Sequence, residues 1–269
     1  MSEAIISFKN VSKEYTLYKN DRERFRALFF KPKGAKINKA LKNVTFDVHR
    51  GEVFILLGGS GCGKTTVLKH IIGLNPVLAG RLTVAGMEWT AANRAALCRK
   101  IGVMYQSGAL FGSMTCLENV MLPLEEFTDL GRAERRSRAR ELLADVELVD
   151  AANLLPSAIS GGMRKRVAIA RAMALDPEVV FLDEPSAGLD PITSSALDDL
   201  ILRLRGEKGM TFVVVTHELP SIFKIGDRAA MFDKARRGMV ALGSPQELRD
   251  ASEDPFIRKF FTRGEYDGK

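Results

Sequence analysis

Cysteine is scarce. The 269 residues hold three of them, Cys62, Cys98 and Cys116, an odd number with no Cys-x-x-Cys pair, which argues against a disulfide framework or a zinc module. Such sparse thiols fit a reducing compartment. Long apolar runs are also missing. Val53–Leu57 and Val179–Leu182 are strand-sized, far below the roughly 20 residues of a membrane span, so the chain is expected not to cross a bilayer by itself. Met1–Ala4 has neither a basic flank nor a hydrophobic stretch, and no export signal is expected. There is no internal repeat and no low-complexity tract. A broad basic surface is lacking too. The net charge is +7, but the stretch Lys19–Lys39 holds eight Lys/Arg against Asp21 and Glu23, which leaves the rest near neutral. A genome-binding domain carries a wider basic footprint, so no nucleic-acid partner is expected.

The composition that remains is that of a folded domain, with 46% hydrophobic and 27% charged residues. Ala4–Val11 and Leu41–Val48 read as strands joined in a hairpin, with a basic insert (17–39) as their connection. In that insert Phe25, Leu28 and Phe29 fall at helical spacing among Arg22, Arg24, Arg26 and Lys31. They fit a lid on their own domain or an amphipathic surface helix. Gly51-Glu52 turns into Val53–Leu57, a glycine loop and a helix from Lys64 to about Ile72, the opening of a parallel α/β sheet. Residues 113–162 are charged and largely helical, with Arg132–Arg140 as a solvated basic face. Alternation resumes with Val179–Leu182, a helix after Pro191, the strand Thr211–Val215, and Met231–Phe232. The expected organisation is one α/β domain over 1–269, its core in 1–112 and 163–269, with 113–162 as a helical subdomain.

Three motifs carry chemistry. Gly58-Gly59-Ser60-Gly61-Cys62-Gly63-Lys64-Thr65 fits G-x-x-x-x-G-K-[ST] between a strand and a helix. Its glycines let backbone N–H groups turn inward around phosphate oxygens, and the helix N-terminus adds positive potential. Lys64 can reach β- and γ-phosphates, and the Thr65 hydroxyl can ligate Mg²⁺. A second motif is the apolar strand Val179–Leu182, which ends in Asp183 and Glu184. Asp183 is placed to hold the Mg²⁺ shell, and Glu184 to orient and deprotonate an attacking water. Between these lies Ile159-Ser160-Gly161-Gly162-Met163, followed by the basic helix Arg164-Lys165-Arg166-Val167. A hydroxyl, two unhindered amides and a helix dipole form another anion nest. Two phosphate-binding nests in a chain with a single phosphate loop imply that the second nest serves another subunit.

In this order the motifs resemble those of ABC transporter ATP-binding subunits, over nearly the whole chain. The match runs through the phosphate loop, the glutamine loop at Gln106, the signature Ser160-Gly161-Gly162, the acidic strand end, the loop Ser186-Ala187-Gly188-Leu189-Asp190, and a switch histidine, His217. The resemblance implies a P-loop NTPase fold, with a RecA-like core, an antiparallel β subdomain and a helical signature subdomain. It implies ATP and Mg²⁺, with Lys64, Gln106, Glu184 and His217 as catalytic residues and Thr65, Gln106 and Asp183 around the metal. Nucleotide contacts would come from Gly58, Gly59, Ser60, Gly61, Cys62, Gly63, Lys64, Thr65 and Thr66, and from Ser160, Gly161 and Gly162. Cys62 reads as a small filler, and His49 and His70 as structural or surface residues. Tyr15 resembles the aromatic that stacks on adenine, with Tyr18 as competitor.

The family's signature usually reads Leu-Ser-Gly-Gly-Gln, and Met163 stands where Gln is usual. Met there is similar to Mla-type lipid transporters, which pair with Mce-domain carriers. Gln106-Ser107-Gly108-Ala109-Leu110-Phe111, Met114-Thr115, Glu118-Asn119-Val120 and Pro123-Leu124-Glu125 resemble the glutamine-loop region of that branch. Phe256–Phe261 resembles its tail. The basic insert instead resembles polysaccharide-exporting ATPases, so lipid-linked glycan export stands as the alternative cargo. Soluble cassette ATPases are a third class. Against these, Gln106–Ser160 is too short for the coiled coil of repair members, and the chain lacks the tandem cassettes of translation members. The expected setting is the cytoplasmic face of the inner membrane, as a peripheral subunit. The expected partners are a second copy of itself, an integral-membrane permease and an Mce-domain carrier.

Overall fold

Runs of consecutive apolar residues become strands buried on both faces, as parallel sheets require. They lie in a six-stranded sheet of order β10 (Gly238–Gly243), β9 (Arg228–Asp233), β3 (Val53–Gly58), β8 (Thr211–Val215), β7 (Val179–Asp183) and β6 (Ile101–Met104). All neighbours are parallel except β10 on β9. The computed structural model describes residues 3–17, 36–77 and 79–262. Tyr18 and the amphipathic stretch Asp21–Lys31 lie outside the described residues.

Register decides where the loops emerge. Leu56 pairs with Val215, Val215 with Asp183, and Leu182 with Met104, so β3, β8, β7 and β6 end together at one carboxyl edge. The phosphate loop, His217, Glu184 and Gln106 follow those four ends directly. In open α/β sheets that edge is where ligands bind.

Strand β3 alternates between two cores. Val53, Ile55 and Leu57 join a core on the side of the helical region. Phe54 and Leu56 face the other, where Phe46 stacks between Phe8 and Phe54 at centroid distances of 4.7 and 5.3 Å. Truncating such a residue to Ala costs roughly 3–5 kcal/mol. Phe8 and Phe46 belong to a four-stranded antiparallel sheet, ordered β2 (Lys36–His49), β1 (Ala4–Leu17), β4 (Ala79–Val84), β5 (Met87–Glu88). Both hairpin strands run past their expected ends, with Tyr15 opposite Asn38 and Leu17 opposite Lys36. Irregular register near Asn10 and Asn43, both at positive φ, interrupts the alternation that would mark one long strand.

Helix α1 (Lys64–Ile71) follows β3, and α2 (Arg94–Arg99) precedes β6. The helical region holds α3 (Cys116–Phe127) and α4 (Arg132–Asp145), joined to α5 (Gly161–Ala172) through a 3₁₀ turn at Pro156–Ala158. A capping box of Thr115 and Glu118 starts α3. Helix α4 turns Ala139, Leu142 and Leu143 inward and leaves most of its arginines exposed. The remaining helices are α6 (Pro191–Lys208), α7 (Leu219–Ile225), α8 (Pro245–Asp250) and α9 (Pro255–Phe261).

Asn119, on α3, has no exposed surface. Its Oδ1 accepts from Phe111 N at 2.8 Å, and its Nδ2 reaches the carbonyls of Phe111, Met114 and Thr115 at 3.0–3.1 Å. One amide thus shapes the segment between the glutamine loop and α3. Asn119→Leu leaves the Phe111 N–H and the Met114 carbonyl without their side-chain partner, while the Phe111 and Thr115 carbonyls keep backbone donors, so urea denaturation is expected to show a loss of about 1–3 kcal/mol. A change below about 0.5 kcal/mol would mean the segment holds its shape without it.

Candidate nucleotide-binding and hydrolysis site

The phosphate loop is built by close approach. A Cβ at Gly58 would lie 2.3 Å from the Phe232 carbonyl oxygen and 2.7 Å from Cys62 Sγ, and its φ is 137°. Gly63, at φ 115°, opens α1 without a side-chain cap, and no acid occupies the first turn. The first N–H groups of that helix therefore have no side-chain competitor for an anion. Lys64 Nζ donates to the carbonyls of Gly58 at 2.5 Å and Gly59 at 3.1 Å, which stretches its ammonium across the loop.

A cavity of about 350 Å³ adjoins this loop, lined by Gly61–Thr66, Tyr15, Ala40, Lys234 and Arg237. Tyr15 therefore stands where the phosphate loop opens. Its hydroxyl accepts from Asn75 Nδ2 at 2.8 Å, and Lys13 Nζ lies 5.3 Å from its ring centroid. Cys62 is buried at the base of the loop. Lys234 and Arg237, on the turn between β9 and β10, were not singled out by the motifs. Between them in sequence, Arg236 pairs with Asp254 and Asp233. Neither Lys234 nor Arg237 has an ion pair or hydrogen bond among the described residues, and both line the cavity. Their only sequence signal is the basic run itself.

The acid pair sits at the end of β7. Burial, then the neighbouring charge of Glu184, pushes the Asp183 carboxyl above its ordinary value, while Lys64 and Lys165 pull the other way. Glu184 has φ 48°, a conformation costing a non-glycine residue on the order of 1–3 kcal/mol. Its N–H donates to the Val215 carbonyl at 2.8 Å. One carboxylate oxygen, Oε1, is 2.9 Å from His217 Nδ1. The other, Oε2, is buried with no partner among the described residues, as is Ser186 Oγ nearby in sequence. A half-buried acid pair with an unpaired oxygen suits a cation and a water. Among the described residues no group of three or more His, Cys, Asp or Glu could hold a metal. Thr65, Gln106 and Asp183 would supply hydroxyl, amide and carboxylate oxygens, a donor set that fits Mg²⁺ completed by phosphate and water.

Gln106 is exposed on the loop after β6, and its carbonyl accepts from Lys165. Ser160 caps α5 by accepting from Met163 N at 3.2 Å, so its hydroxyl proton stays available to a ligand. A Cβ at Gly162 would lie 2.5 Å from Thr193 Cγ2, and Asp190 holds Thr193 through its hydroxyl at 2.6 Å and its N–H at 3.0 Å. The signature and the Ser186–Asp190 loop therefore pack directly together. His70 is fully buried on α1, 2.7 Å from the Thr66 carbonyl, and burial lowers its pKa. It is structural.

A glycine loop feeding a helix, with an acid pair and a histidine on neighbouring strand ends, defines a P-loop nucleoside triphosphatase. A profile of the ABC transporter family matches residues 41–187. The chain is 40% identical over 221 residues to the intermembrane phospholipid transport system ATP-binding protein MlaF of Escherichia coli (strain K12), covering 81% of each. It is 39% identical over 207 residues to the methionine import ATP-binding protein MetN 1 of Rhodococcus jostii (strain RHA1), covering 76% of this chain and 61% of that one. The dimeric, post-hydrolysis ATP-binding cassette MJ0796 bound to ADP and Pi matches with a TM-score of 0.74 and 32% identity, over 89% of this chain and 98% of the other. This chain belongs to the ABC transporter family, as an ATP-binding subunit whose ATP hydrolysis is coupled to transport.

The raised pKa of Asp183 has a definite sign. The folded state binds this proton more tightly than the unfolded chain does, so the ionised carboxylate destabilises the nucleotide-free fold at neutral pH. That cost falls as pH drops through the raised value and is gone only below the ordinary carboxylate value of the unfolded chain. Asp183→Asn is expected to raise the Tm of the Mg²⁺- and nucleotide-free protein, by about 2–4 °C per kcal/mol regained, with the gain shrinking on acidification. Differential scanning fluorimetry across pH checks this, and an unchanged or lower Tm at neutral pH contradicts it.

Proposed function

We propose that two copies of this chain close on two ATP molecules, and that the closure drives a separate lipid permease. Each phosphate loop, Gly58–Thr66, holds the phosphates with Lys64 as clamp, and Tyr15 stacks on the adenine. The Ser160–Gly162 nest of the other copy completes each site. Thr65, Asp183 and Gln106 would hold Mg²⁺, which would supply charge neutralisation at the phosphates. Glu184 takes the proton of the attacking water, and His217 holds that carboxylate in place. The observation that carries this reading is the Glu184 carboxylate, with one oxygen 2.9 Å from His217 Nδ1 and the other buried and unpaired. A general base needs a fixed orientation and a free lone pair, and Glu184 has both.

Glu184→Gln is expected to keep ATP binding, favour the closed dimer and lower steady-state turnover by two or more orders of magnitude (~10²–10⁴-fold). Lys64→Ala is expected to weaken nucleotide binding itself. Turnover near wild type in Glu184→Gln removes the base assignment.

The cargo reading rests on the glutamine loop. In this family that loop borders the groove taking the permease's cytoplasmic helix, so its sequence follows partner class more closely than the catalytic motifs do. Gln106–Phe111 and Met163 resemble the Mla branch, and the relative MlaF is named for intermembrane phospholipid transport. MetN 1 is named for methionine import at nearly the same identity, so the overall match does not fix the cargo, and the reading rests on the loop. The basic insert points towards glycan export, but it sits in a hairpin connection, where insertions are tolerated. The reading places the subunit on the cytoplasmic face of the inner membrane, beside a permease and an Mce-domain carrier. Among the described residues no helix is long and apolar enough to cross a membrane.

Co-purification from native membranes, then transport assays with labelled phospholipid and lipid-linked glycan, test the cargo. ATP-dependent movement of phospholipid is the expected result. Recovery with a glycan-export permease and no phospholipid movement rejects the lipid reading and leaves the ATPase intact.

A further inference from the structure

Lys165 is only 7% exposed. It stands five residues past Ser160, in a run of cations that the sequence presents as one basic helix. Its ammonium donates to the carbonyl of Gln106 and, at 3.2 Å, to the carbonyl of Glu184. One side chain on the signature helix thus touches the backbone of the glutamine loop and that of the acid-pair turn. Burial lowers its pKa, while Asp183 and Glu184 favour its charged form. On stability alone this is a poor use of a buried position, because replacing buried charges with apolar residues of similar size is often neutral or stabilising.

We propose that Lys165 is a positioning residue that ties the backbone of the glutamine loop to that of Glu184, so that the catalytic carboxylate follows the state of the loop. Glu184 needs such a tether. Its backbone lies in the left-handed region, which a non-glycine residue keeps only when its surroundings hold it there. Strand pairing supplies one restraint through the Val215 carbonyl, the Ala187 N–H a local one at the Glu184 carbonyl (3.2 Å), and Lys165 a third from the signature helix. The glutamine loop is further tied to the same helix by Arg171, whose guanidinium donates to the carbonyls of Gly108 and Ala109 at 2.8 Å each. Arg171 reaches only the loop. Among the described residues, Lys165 alone spans the loop and the acid turn.

The inference rests on Glu184 being the base, and the experiment separates the two. ATPase activity of the full chain, with its membrane partner where turnover requires it, is measured for wild type, Lys165→Met, Lys165→Arg and Glu184→Gln. ATP affinity and Tm are recorded alongside. Lys165→Met, close in length and without donors, is expected to lower kcat about 10- to 100-fold, the scale of a misplaced catalytic group. KM for ATP and ATP affinity stay within about twofold, since no nucleotide contact is lost. Lys165→Arg keeps the charge and donors and is expected to recover most of kcat. If Lys165→Met does not fold, Lys165→Gln, a shorter donor unable to span both carbonyls, is expected to give the same split between kcat and KM. A parental kcat in the donorless or shortened variant, with Glu184→Gln inactive, overturns the inference alone. A loss of kcat that parallels a raised KM and a lowered Tm, with no recovery in Lys165→Arg, also overturns it in favour of a structural role. Parental turnover in Glu184→Gln instead removes the base assignment on which the inference rests.

Discussion

Two carboxylates forced side by side at the end of a buried strand are the constraint that organises this molecule. Strand β7 is interior, so its last residues cannot spread into solvent, and Asp183 is partly stripped of water beside Glu184. Positive charge collects around that point. Lys64 comes from the phosphate loop and Lys165 from the signature helix, and both favour the ionised form of Asp183. Helix α1 adds uncapped N–H groups nearby. An edge holding two acids and two lysines, with further cations over the loop at Lys234 and Arg237, is poised for a polyphosphate and a divalent cation together. Neither the anion nor the cation alone would balance it.

Much of this was legible in the sequence wherever burial leaves an uninterrupted apolar run. Val53–Leu57, Val179–Leu182 and Thr211–Val215 are such runs, and they are the strands whose ends carry the phosphate loop, the acid pair and His217. The hairpin was only half legible, because Lys13, Glu14 and Thr16 are polar residues that continue β1 through backbone pairing with β2. Strand β10 is mostly half-buried, and β4 opens with three exposed residues. Neither offers a periodic signal. The run Arg164–Arg166 is legible only as a basic helix, not in what it touches. Cations in a helix suggest a wet face, yet Arg164 donates to the carbonyls of Pro156 and Ile159, and Lys165 is buried. Arg166 reaches Glu147 at 2.6 Å. Backbone carbonyls that become partners only through tertiary packing leave no trace in residue types.

The glycines carry a similar lesson. Gly58 sits in a motif whose usual explanation is room for phosphate, but here the room is already needed by Phe232 and Cys62 of the same chain. Gly162 likewise meets Thr193 before it meets any ligand. Motif glycines of this kind answer to the fold and to the site at once. Loss of activity in a Gly162→Ala variant would therefore not by itself assign that residue to the nucleotide. Ser160 is a cleaner probe, because its cap uses only the acceptor side of its hydroxyl and the donor side is left over.

Helix α5 joins these pieces mechanically. Its N-terminus is the Ser-Gly-Gly nest, and one turn later comes Lys165, bonded to the glutamine loop and the acid turn. Farther along, Arg171 holds the glutamine loop again. Twelve residues of helix span about 18 Å, and a packed helix of that length moves as a unit rather than bending to each contact. In the proposed sandwich the nest faces the nucleotide of one site, while Lys165 faces the catalytic glutamate of the other. Closing on one ATP would then press α5 against the glutamine loop and Glu184 of the second site. Communication between the two sites, and between each site and the permease at the loop, would pass through one rigid element with a buried ammonium at its centre. A solvated basic helix could not do this, since water would screen each contact and leave the carbonyls free to drift.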